Sequence, residues 1–358
     1  EDLKAAFKGL PAAELAKIKA ALEVSEEIWS KFEGMKYQNL RVASYNVRVD
    51  HDADIGTKHD WPLRRPFVAS SLLGLAADIV GIQEPSPKQA VDMQEDMGPQ
   101  WGISVTATDP EAWASAGEEG PSDGQARDGN GFMWRRSRVD LLGDVETVWL
   151  SPSPESPWCV GEDGKGPWGG SKYQRTCVVG RFRDLLTKNT ITIFNAHFDH
   201  MYSDDPVKDV ASAPCQSAQL MMERARKALS DVDLVLVMGD FNTFQDRKGA
   251  CYAALVDGAQ GMLHDVRDCP GCIEVDAGRS DSSWEGWENN AYWRQKAGDQ
   301  RYDQVFIGSK SADTCQVCRT AVVEERYSLD FSGESLKVYA SDHLPIITDL
   351  RLKQQAAT

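Results

Sequence analysis

Residues Leu234–Asn242 read LVLVMGDFN, an apolar run that ends in a glycine, an aspartate and an asparagine. A short apolar run closed by a turn residue is typical of a buried β-strand. Asp240 and Asn242 are two positions apart, so in an extended chain their side chains lie on the same side. A carboxylate beside a neutral amide suits the positioning of a water next to a phosphate, although an ordinary Asx turn is the alternative interpretation.

Six further motifs place a carboxylate, an amide or an imidazole where an extended run gives way to a loop. In chain order they are VASYNV with Asn46, VGIQE ending at Glu84, the weaker YQR over Tyr173–Arg175, NAHFDH over Asn195–His200, RYDQVFI around Asp303, and SDHLP with Asp342 and His343. Groups so far apart in sequence converge only if one fold gathers the strand ends. This arrangement is typical of an active site rather than of a hydrophobic core.

The NAHFDH motif crowds several polar and titratable groups into a few residues. Alternation along an extended chain puts Asn195, His197 and Asp199 on one face, and His200 follows directly. A histidine satisfied at the surface is the plain interpretation of either imidazole alone.

A second imidazole lies in the SDHLP motif, where His343 follows Asp342. Asp303 is placed to orient such an imidazole and to determine its tautomer. Glu84 offers the hard oxygen ligand that a cation such as Mg²⁺ prefers. Two histidines with several carboxylates indicate metal-assisted hydrolysis of a phosphate ester, with an oriented water and a general acid.

Composition limits the class of protein. The chain has 358 residues, 41% of them hydrophobic, which is enough to bury one large core or two smaller ones. No apolar run approaches the ~20 residues of a transmembrane helix, so we expect no membrane span. The net charge of −16 argues against a general nucleic-acid coat but does not exclude a nuclease with a metal-filled cleft. Because the chain begins at Glu1 rather than Met, we expect that an upstream segment has been removed.

The eight cysteines are Cys159, Cys177, Cys215, Cys251, Cys269, Cys272, Cys315 and Cys318. An even count in an acidic chain favours four disulfides and an oxidising compartment, so we expect a secreted or lumenal protein. The two Cys-x-x-Cys pairs are also compatible with a structural zinc, although their separation of about 42 residues exceeds the usual zinc-ribbon spacing. Free thiols are the third alternative.

The chain divides into three segments. Residues 1–37 predict a helical appendage, because Pro11 suits a helix start and Leu15, Ile18 and Leu22 recur on one face. Residues 38–353 predict one catalytic domain of alternating strands and helices, and residues 354–358 a tail. The strand-like runs are Leu40–Tyr45, Asp78–Gln83, Gly131–Arg135, Val145–Leu150, Cys177–Arg183, Thr190–Asn195, Leu234–Gly239, Tyr302–Ile307 and Pro345–Leu350. The helix-like runs are Leu63–Ala76, Lys88–Met97 and Gln216–Leu229.

As a set, these motifs resemble the endonuclease/exonuclease/phosphatase superfamily over roughly residues 38–352. The matching positions are Asn46, Glu84, Asn195-x-His197, Gly239–Asn242, Arg301-x-Asp303 and Ser341–His343. A closer resemblance is to the branch that carries an N-[TA]-H-F-D-H motif. The resemblance implies an α/β (α+β) fold of the DNase I type, in which two mainly antiparallel β-sheets and flanking helices form a four-layer sandwich.

The resemblance also implies how a metal and a phosphate would be held. Glu84 would be the principal metal ligand, with Asn46 and Asp342 near the metal. The metal would be Mg²⁺, or alternatively Mn²⁺ or Ca²⁺. His197 would lie against the scissile phosphate and donate a hydrogen bond or a proton.

The same resemblance assigns the attacking water to Asp240 and Asn242, which would position or deprotonate it. His343, held by Asp303, would contact a non-bridging oxygen. The remaining candidates would contact the substrate: Arg175, Asn195 and His200. No covalent intermediate is expected.

Two departures from the family pattern have expected consequences. Many members carry a second glutamate before the strand that contains Phe132, whereas this chain has Asn130 there. We expect this change to weaken metal affinity or the support of the histidine. The segment Met201–Pro214 is longer than usual, and a disulfide at Cys215 is expected to tie it down near the substrate mouth.

The substrate is left open by the sequence. Tight basic clusters occur only at Arg64–Arg65 and Arg135–Arg138, and an aromatic cluster either stacks a base, sugar or headgroup or packs loops: Trp284, Trp287, Tyr292 and Trp293. We predict a metal-dependent phosphoesterase acting on a small molecule, a lipid headgroup or a nucleotide. A secreted nuclease of the same mechanism and a repurposed binding module are the alternatives. The oligomeric state is not predicted.

Overall fold

The computed structural model describes residues 37–355, apart from 112–113, 115–127, 159–165, 167, 169–170, 172, 202–204, 206, 244–245, 276–281, 288–300 and 312. The predicted N-terminal appendage lies outside the described residues up to position 36, and Tyr37 already belongs to the first strand. No described helix combines the length and the apolar character that a membrane crossing requires.

The described part of the chain contains sixteen strands and four α-helices. The strands are β1 (Tyr37–Asn46), β2 (Ile79–Gln83), β3 (Trp101–Ala107), β4 (Gly129–Arg135), β5 (Val139–Leu141), β6 (Glu146–Trp149), β7 (Thr176–Asp184), β8 (Thr190–His197), β9 (Leu234–Asp240), β10 (His264–Asp265), β11 (Ile273–Val275), β12 (Asp303–Ser309), β13 (Cys315–Val322), β14 (Tyr327–Phe331), β15 (Glu334–Val338) and β16 (Ile346–Lys353). The helices are α1 (Trp61–Gly74), α2 (Pro87–Met97), α3 (Ala213–Ala228) and α4 (Ala250–Ala259). Every strand and helix predicted within residues 38–353 overlaps one of these elements.

Most strands belong to two large sheets. The first sheet has the order β11-β13-β16-β1-β2-β4-β3, and the second has the order β10-β12-β9-β8-β7-β5, with β6 also paired to β7. β14 and β15 form a separate hairpin. Neighbouring strands are antiparallel except for the parallel pairs β1–β2, β8–β9 and β11–β13. The prediction of two mainly antiparallel sheets is therefore confirmed.

Alternating side chains divide the interior into three apolar layers. In β9, Leu234, Leu236 and Met238 pack between the two sheets, whereas Val235 and Val237 pack beneath α3 and α4. The helices α1 and α2 cover the outer face of the first sheet in the same way. The result is the predicted sandwich of two sheets flanked by helices.

The layer between the sheets becomes polar at one end, where Asn195 of β8 joins the two sheets. Its Nδ2 atom donates to the carbonyl oxygens of Ile82 and Gly131, at 3.0 and 2.9 Å. Its Oδ1 atom accepts from Gln83 Nε2 at 2.5 Å. The side chain is fully buried and its partners are atoms of the sheets. Asn195 was predicted to contact the substrate, and the structure places it inside the sandwich instead.

The cysteines differ from the expected disulfide framework. Within the described residues no disulfide joins two cysteines, and all seven described cysteines are thiols. Three thiols are buried in the apolar layer between the second sheet and the helices α3 and α4, where they pack as small apolar side chains: Cys177, Cys215 and Cys251. The Sγ atom of Cys215 donates to the Asp209 carbonyl at 3.1 Å, in place of the disulfide expected there. Cys159 lies outside the described residues.

We predict that Asn195→Ala lowers the free energy of unfolding by about 3 kcal/mol, because buried donors and acceptors of both sheets lose their partner. Denaturant titration of the purified variant measures this change. The matched control is Asn39→Ala on an exposed position of β1, which we expect to change stability by no more than about 0.5 kcal/mol. Equal stabilities of the two variants would contradict the role given to the Asn195 amide.

Candidate active site

Strand pairing assembles two rows of polar side chains at the polar end of the sandwich. In the second sheet, His197 of β8 pairs in register with Asp240 of β9, which pairs with Asp303 of β12. The row that faces them in the first sheet consists of Asn46, Gln83 and Asn130. Side chains from motifs far apart in the sequence therefore meet because their strands end at the same edge.

Asp240 lies at the centre of the site. Its Oδ2 atom lies 3.6 Å from His197 Nε2 and 3.5 Å from His343 Nε2. The same oxygen accepts from Asn46 Nδ2 at 3.0 Å. One carboxylate oxygen thus faces two imidazoles and an amide, with only 1% of the Asp240 side chain exposed.

The backbone around Asp240 has an unusual conformation. Gly239 has a φ of +141°, and a Cβ there would meet the Ala196 carbonyl oxygen at 1.9 Å, so this close approach of β9 to β8 requires glycine. Asn242 has a φ of +48°; its N–H donates to Asp240 Oδ1 at 3.0 Å, and its Nδ2 donates to the Phe198 carbonyl at 2.9 Å. The Asp-x-Asn pair is therefore held tightly at the end of the strand.

His343 forms a buried pair with Asp303. Its Nδ1 atom donates to Asp303 Oδ2 at 3.0 Å, so the two residues predicted to pair are in contact. Burial opposes the imidazolium charge, but Asp240 and Asp303 outweigh burial and raise the pKa of His343 to about 10. Burial raises the pKa of Asp303 to about 6, against the opposing effect of His343. At neutral pH the pair is an imidazolium beside a carboxylate.

His197 is supported by Asp128, a residue that the sequence interpretation missed. The Nδ1 atom of His197 lies 2.6 Å from Arg175 Nη1 and 3.4 Å from Asp128 Oδ2, and Arg175 and Asp128 form an ion pair. Because a guanidinium only donates, Nδ1 accepts, and the proton of the neutral ring is on Nε2. That Nε2 atom faces Asp240 and Glu84.

Asn130 occupies the position where many relatives carry glutamate. Its side-chain amide contacts Thr176 of the second sheet rather than His197. Its Nδ2 atom donates to the carbonyl and hydroxyl oxygens of Thr176, at 2.9 and 2.8 Å. Asp128, two positions earlier, supplies a carboxylate near His197 through its ion pair with Arg175, and the expected effect of Asn130 on metal affinity or on the histidine stays a prediction. Asp128 could have been predicted from the sequence, because it is two positions before Asn130 and residues two positions apart in an extended chain share a face.

Glu84 lies across the sandwich from these histidines, directly after β2. Its φ of +65° is unusual for a residue other than glycine and is typical of functional sites. Its Oε1 atom accepts from Asn46 Nδ2 at 2.9 Å, and Oε2 accepts from the Val49 N–H at 3.1 Å. Burial acts to raise the pKa of Glu84, but the Nε2–H of His197 that faces its carboxylate, the charge of Arg48 and the hydrogen bond from Asn46 together hold the pKa well below its ordinary value. Glu84 is therefore ionised.

The donor set fits a hard divalent cation. Two tight groups of potential ligands are Glu84, His197 and Asp240, and Asp240, Asp303 and His343. Asn46 contacts the first group, and Asp342 lies beside it, with its Oδ2 atom 3.8 Å from Arg48 Nη1. Carboxylate and amide oxygens are the ligands that Mg²⁺, Mn²⁺ and Ca²⁺ prefer, so the residues present suit the predicted cation.

Aromatic rings flank the mouth of the site. The ring of Tyr302 lies 6.3 Å from that of His343 and 5.7 Å from that of Trp284. The ring of Tyr173 lies 4.9 Å from that of the exposed His200. Trp284 and His200 are thus at the rim, whereas positions 292 and 293 of the predicted aromatic cluster lie outside the described residues. Arg175 is buried behind its histidine, and its use as a phosphate clamp stays a prediction.

We predict that Asp303→Asn lowers the pKa of His343 from about 10, because one of the carboxylates that raise it is removed. An NMR titration of the ring carbons in metal-free protein measures the shift. The control Asp257→Asn, at an exposed position of α4, leaves the titration unchanged. Identical titrations of His343 in wild type and Asp303→Asn would contradict the pairing.

Solved structures share this fold. An endonuclease/exonuclease/phosphatase family protein from Bacteroides thetaiotaomicron is 24% identical, with a TM-score of 0.69 over 89% of this chain and 100% of its own. A mannosyl-6-phosphatase from the same organism is 24% identical, with a TM-score of 0.66 over 87% and 99%. The D. rerio TDP2 complexed with a single-strand DNA product is 16% identical, with a TM-score of 0.53 over 87% and 99%. At these identities the likeness shows the fold alone.

A search of curated proteins gives no match. The model of the endonuclease/exonuclease/phosphatase family matches residues 43–343, a range that begins just before Asn46 and ends at His343. Members of this family are phosphoric ester hydrolases. The chain therefore belongs to the endonuclease/exonuclease/phosphatase family.

Proposed function

We propose that this phosphoric ester hydrolase depends on a divalent metal and cleaves a phosphodiester or phosphomonoester by direct attack of water. The observation that carries the proposal is the position of Asp240 Oδ2, within 3.6 Å of the Nε2 atoms of both His197 and His343. A carboxylate between two imidazoles, close to the ionised Glu84, combines a base, hydrogen-bond donors and a cation site in one pocket.

The cation would be held by Glu84, with Asn46 and Asp342 beside it. When bound, a hard divalent cation neutralises charge on phosphate oxygens and lowers the pKa of nearby water. Mg²⁺ is the proposed cation, with Mn²⁺ and Ca²⁺ as substitutes. The ionised state of Glu84 at neutral pH supports this assignment.

Asp240 would orient the attacking water and accept its proton, and Asn242 would hold Asp240 in place through its N–H. The water oxygen bonds to phosphorus as the ester oxygen departs, so no covalent intermediate forms. His343, kept cationic by Asp240 and Asp303, would donate from Nε2 to a non-bridging oxygen. This oxygen gains negative charge in the transition state, where a pre-oriented donor stabilises it most.

His197 would donate its Nε2 proton in a hydrogen bond to the phosphate. The acceptor role of its Nδ1 atom, imposed by Arg175, holds the ring in the tautomer that this needs. Asp128 in turn orients Arg175 through their ion pair. These two residues would position the imidazole without touching the substrate.

The proposed substrate is a compact phosphate ester such as a small molecule, a lipid headgroup or a nucleotide. Arg48 and Arg175 pair with aspartates, and the chain carries a net charge of −16, which disfavours a long polyanion. The mannosyl-6-phosphatase of the same fold supports a monoester. The neighbour with a DNA product supports a nuclease as the second candidate. Secretion, predicted from the cysteine count, stays a prediction.

We predict chelator-sensitive hydrolysis of at least one ester in a screen with Mg²⁺, Mn²⁺ or Ca²⁺. The esters are p-nitrophenyl phosphate, bis-p-nitrophenyl phosphate, sugar phosphates, phospholipid headgroups, plasmid DNA and a single-stranded oligonucleotide. Asp240→Asn and His343→Ala should each lower kcat by about 10²–10⁴-fold, the usual contribution of an acid or base. The preferred ester separates a phosphatase from a nuclease.

The control for that screen is Asp257→Asn, which removes an exposed carboxylate of α4 and should leave kcat unchanged. Turnover that survives both the chelator and Asp240→Asn would show that the activity does not arise at this site. No turnover on any ester would favour a binding module.

We predict that Asp128→Asn lowers kcat by about 10–100-fold with little change in KM, as for other residues that orient a catalytic histidine. The physical reason is that Arg175 loses the partner that holds it against His197. Steady-state kinetics on the preferred ester measures the effect. The matched variant Asp140→Asn, exposed on β5, should behave as wild type, and a wild-type kcat for Asp128→Asn would remove Asp128 from the mechanism.

A further inference from the structure

The described cysteines fall into two groups with different surroundings. Three are fully buried core thiols: Cys177, Cys215 and Cys251. The other four are partly exposed and form two Cys-x-x-Cys pairs: Cys269 with Cys272, and Cys315 with Cys318. Three members of the second group, Cys269, Cys272 and Cys315, pack against the edge of the core between the sheets while staying partly exposed, so this group is open to a ligand as the first is not.

The first pair is built on a tight turn. The Cys272 N–H donates to the Cys269 carbonyl at 3.0 Å, and Gly271 between them has a φ of +80°. With Pro270 before the glycine, this is a type II β-turn. The turn brings the ends of a Cys-x-x-Cys segment close together, and this spacing recurs among structural zinc ligands.

The second pair lies on β13 at an irregularity. Residues three apart in a regular strand point to opposite faces, which would separate Cys315 from Cys318. The register of β13 with β16 shifts between Val317 and Arg319, so Cys318 is the extra residue of a β-bulge. The bulge breaks the alternation, so Cys315 and Cys318 are no longer required to point to opposite faces of the sheet.

Strand pairing brings the two pairs together. β11 runs parallel to β13 with Ile273 opposite Arg319, so Cys272 and Cys318 each immediately precede one member of a register pair. Cys269 and Cys315 line one cavity. The long sequence separation is bridged because the chain passes through β12 before it returns to β13.

This cluster lies at the opposite end of the sandwich from the active site. The cavity beside it is also lined by Tyr37 and Ser309, the first residue of β1 and the last of β12. Asn46 and Asp303, at the other ends of these two strands, belong to the active site. The four thiols are therefore a separate feature of the molecule.

We propose that Cys269, Cys272, Cys315 and Cys318 form a tetrathiolate zinc site. Zn²⁺ takes four cysteine sulfurs in a tetrahedral structural site, and two Cys-x-x-Cys segments are a usual way to supply them. Among the described residues, no three of these four sulfurs lie within 4.8 Å of one another, so they are more widely spaced than the potential ligands of the active site. Zinc binding therefore draws the side chains inward, and the free energy of binding stabilises the fold.

The zinc site would stabilise the short edge strand of the first sheet. β11 has three residues, all exposed, and it forms the end of the sheet. Glu274 of β11 accepts from Arg301 Nη1 at 2.6 Å, and Arg301 lies two residues before Asp303. Zinc would therefore hold the edge strand β11 in place. Through the ion pair of Glu274 with Arg301, β11 is in turn connected to the start of β12, where the active-site residue Asp303 lies.

The test uses the full chain purified under reducing conditions and loaded with Zn²⁺ or Co²⁺. Native mass spectrometry should find a tightly held zinc in wild type that is lost in Cys272→Ser and in Cys318→Ser. Cobalt should give sulfur-to-metal charge-transfer absorption in wild type, which a cation bound by oxygen and imidazole at the active site does not produce. Cys251→Ala, a buried thiol of α4, is the control and should behave as wild type.

A melting temperature gives a second readout. Chelation of zinc should lower the Tm of wild type by more than that of Cys272→Ser, because both proteins lose a cation from the active site but only wild type also loses zinc from the four thiols. Absence of the charge-transfer absorption at excess Co²⁺ would overturn the proposal. Peptide mapping of freshly purified protein that finds the four cysteines joined as two disulfides would overturn it equally.

Discussion

A polar side chain buried between two β-sheets destabilises the fold unless its donors and acceptors are satisfied, and this constraint shapes the active end of the molecule. Asn195 meets it by bonding atoms of β2 and β4 from its place on β8. The Nδ2 atom of Asn130 makes contacts in the other direction, donating from β4 to Thr176 of β7. These hydrogen bonds between uncharged groups hold the sheets together where the apolar layer ends. The row of charged side chains that includes Asp240 lies two residues beyond Asn195 in the register of β8 with β9.

In the row of charged side chains, buried negative charge is offset by nearby positive charge. Asp240, Asp303 and Glu84 bring negative charge into a small buried volume, and His343 and Arg175 offset part of it. This balance raises the pKa of His343 and keeps Glu84 ionised. A hard divalent cation beside Glu84 would offset the remaining charge, so the electrostatics that define the pocket also define its proposed cofactor.

Much of the site could be predicted from the sequence because side-chain alternation continues through the strand ends. It placed Asp240 beside Asn242 and His197 beside Asn195 at the ends of two extended runs, and in the structure His197 and Asp240 are register partners at the ends of β8 and β9. The same pattern could not separate Asn195 from His197, since both face inward and only the depth along β8 decides which meets the substrate. Asp128 was missed because it precedes its strand, and α4 because its sequence is apolar on all sides and lacks a helical period. The disulfide framework was inferred from a count, which carries no distances.

We propose that a divalent cation binds the Glu84 carboxylate at the polar end of the sandwich. Anomalous diffraction from crystals soaked in Mn²⁺ with inorganic phosphate tests this binding without any knowledge of the substrate. We expect an anomalous peak bonded to the Glu84 carboxylate, with the phosphate between that peak and His343. Mn²⁺ peaks elsewhere with none at Glu84, at saturating Mn²⁺, would contradict it.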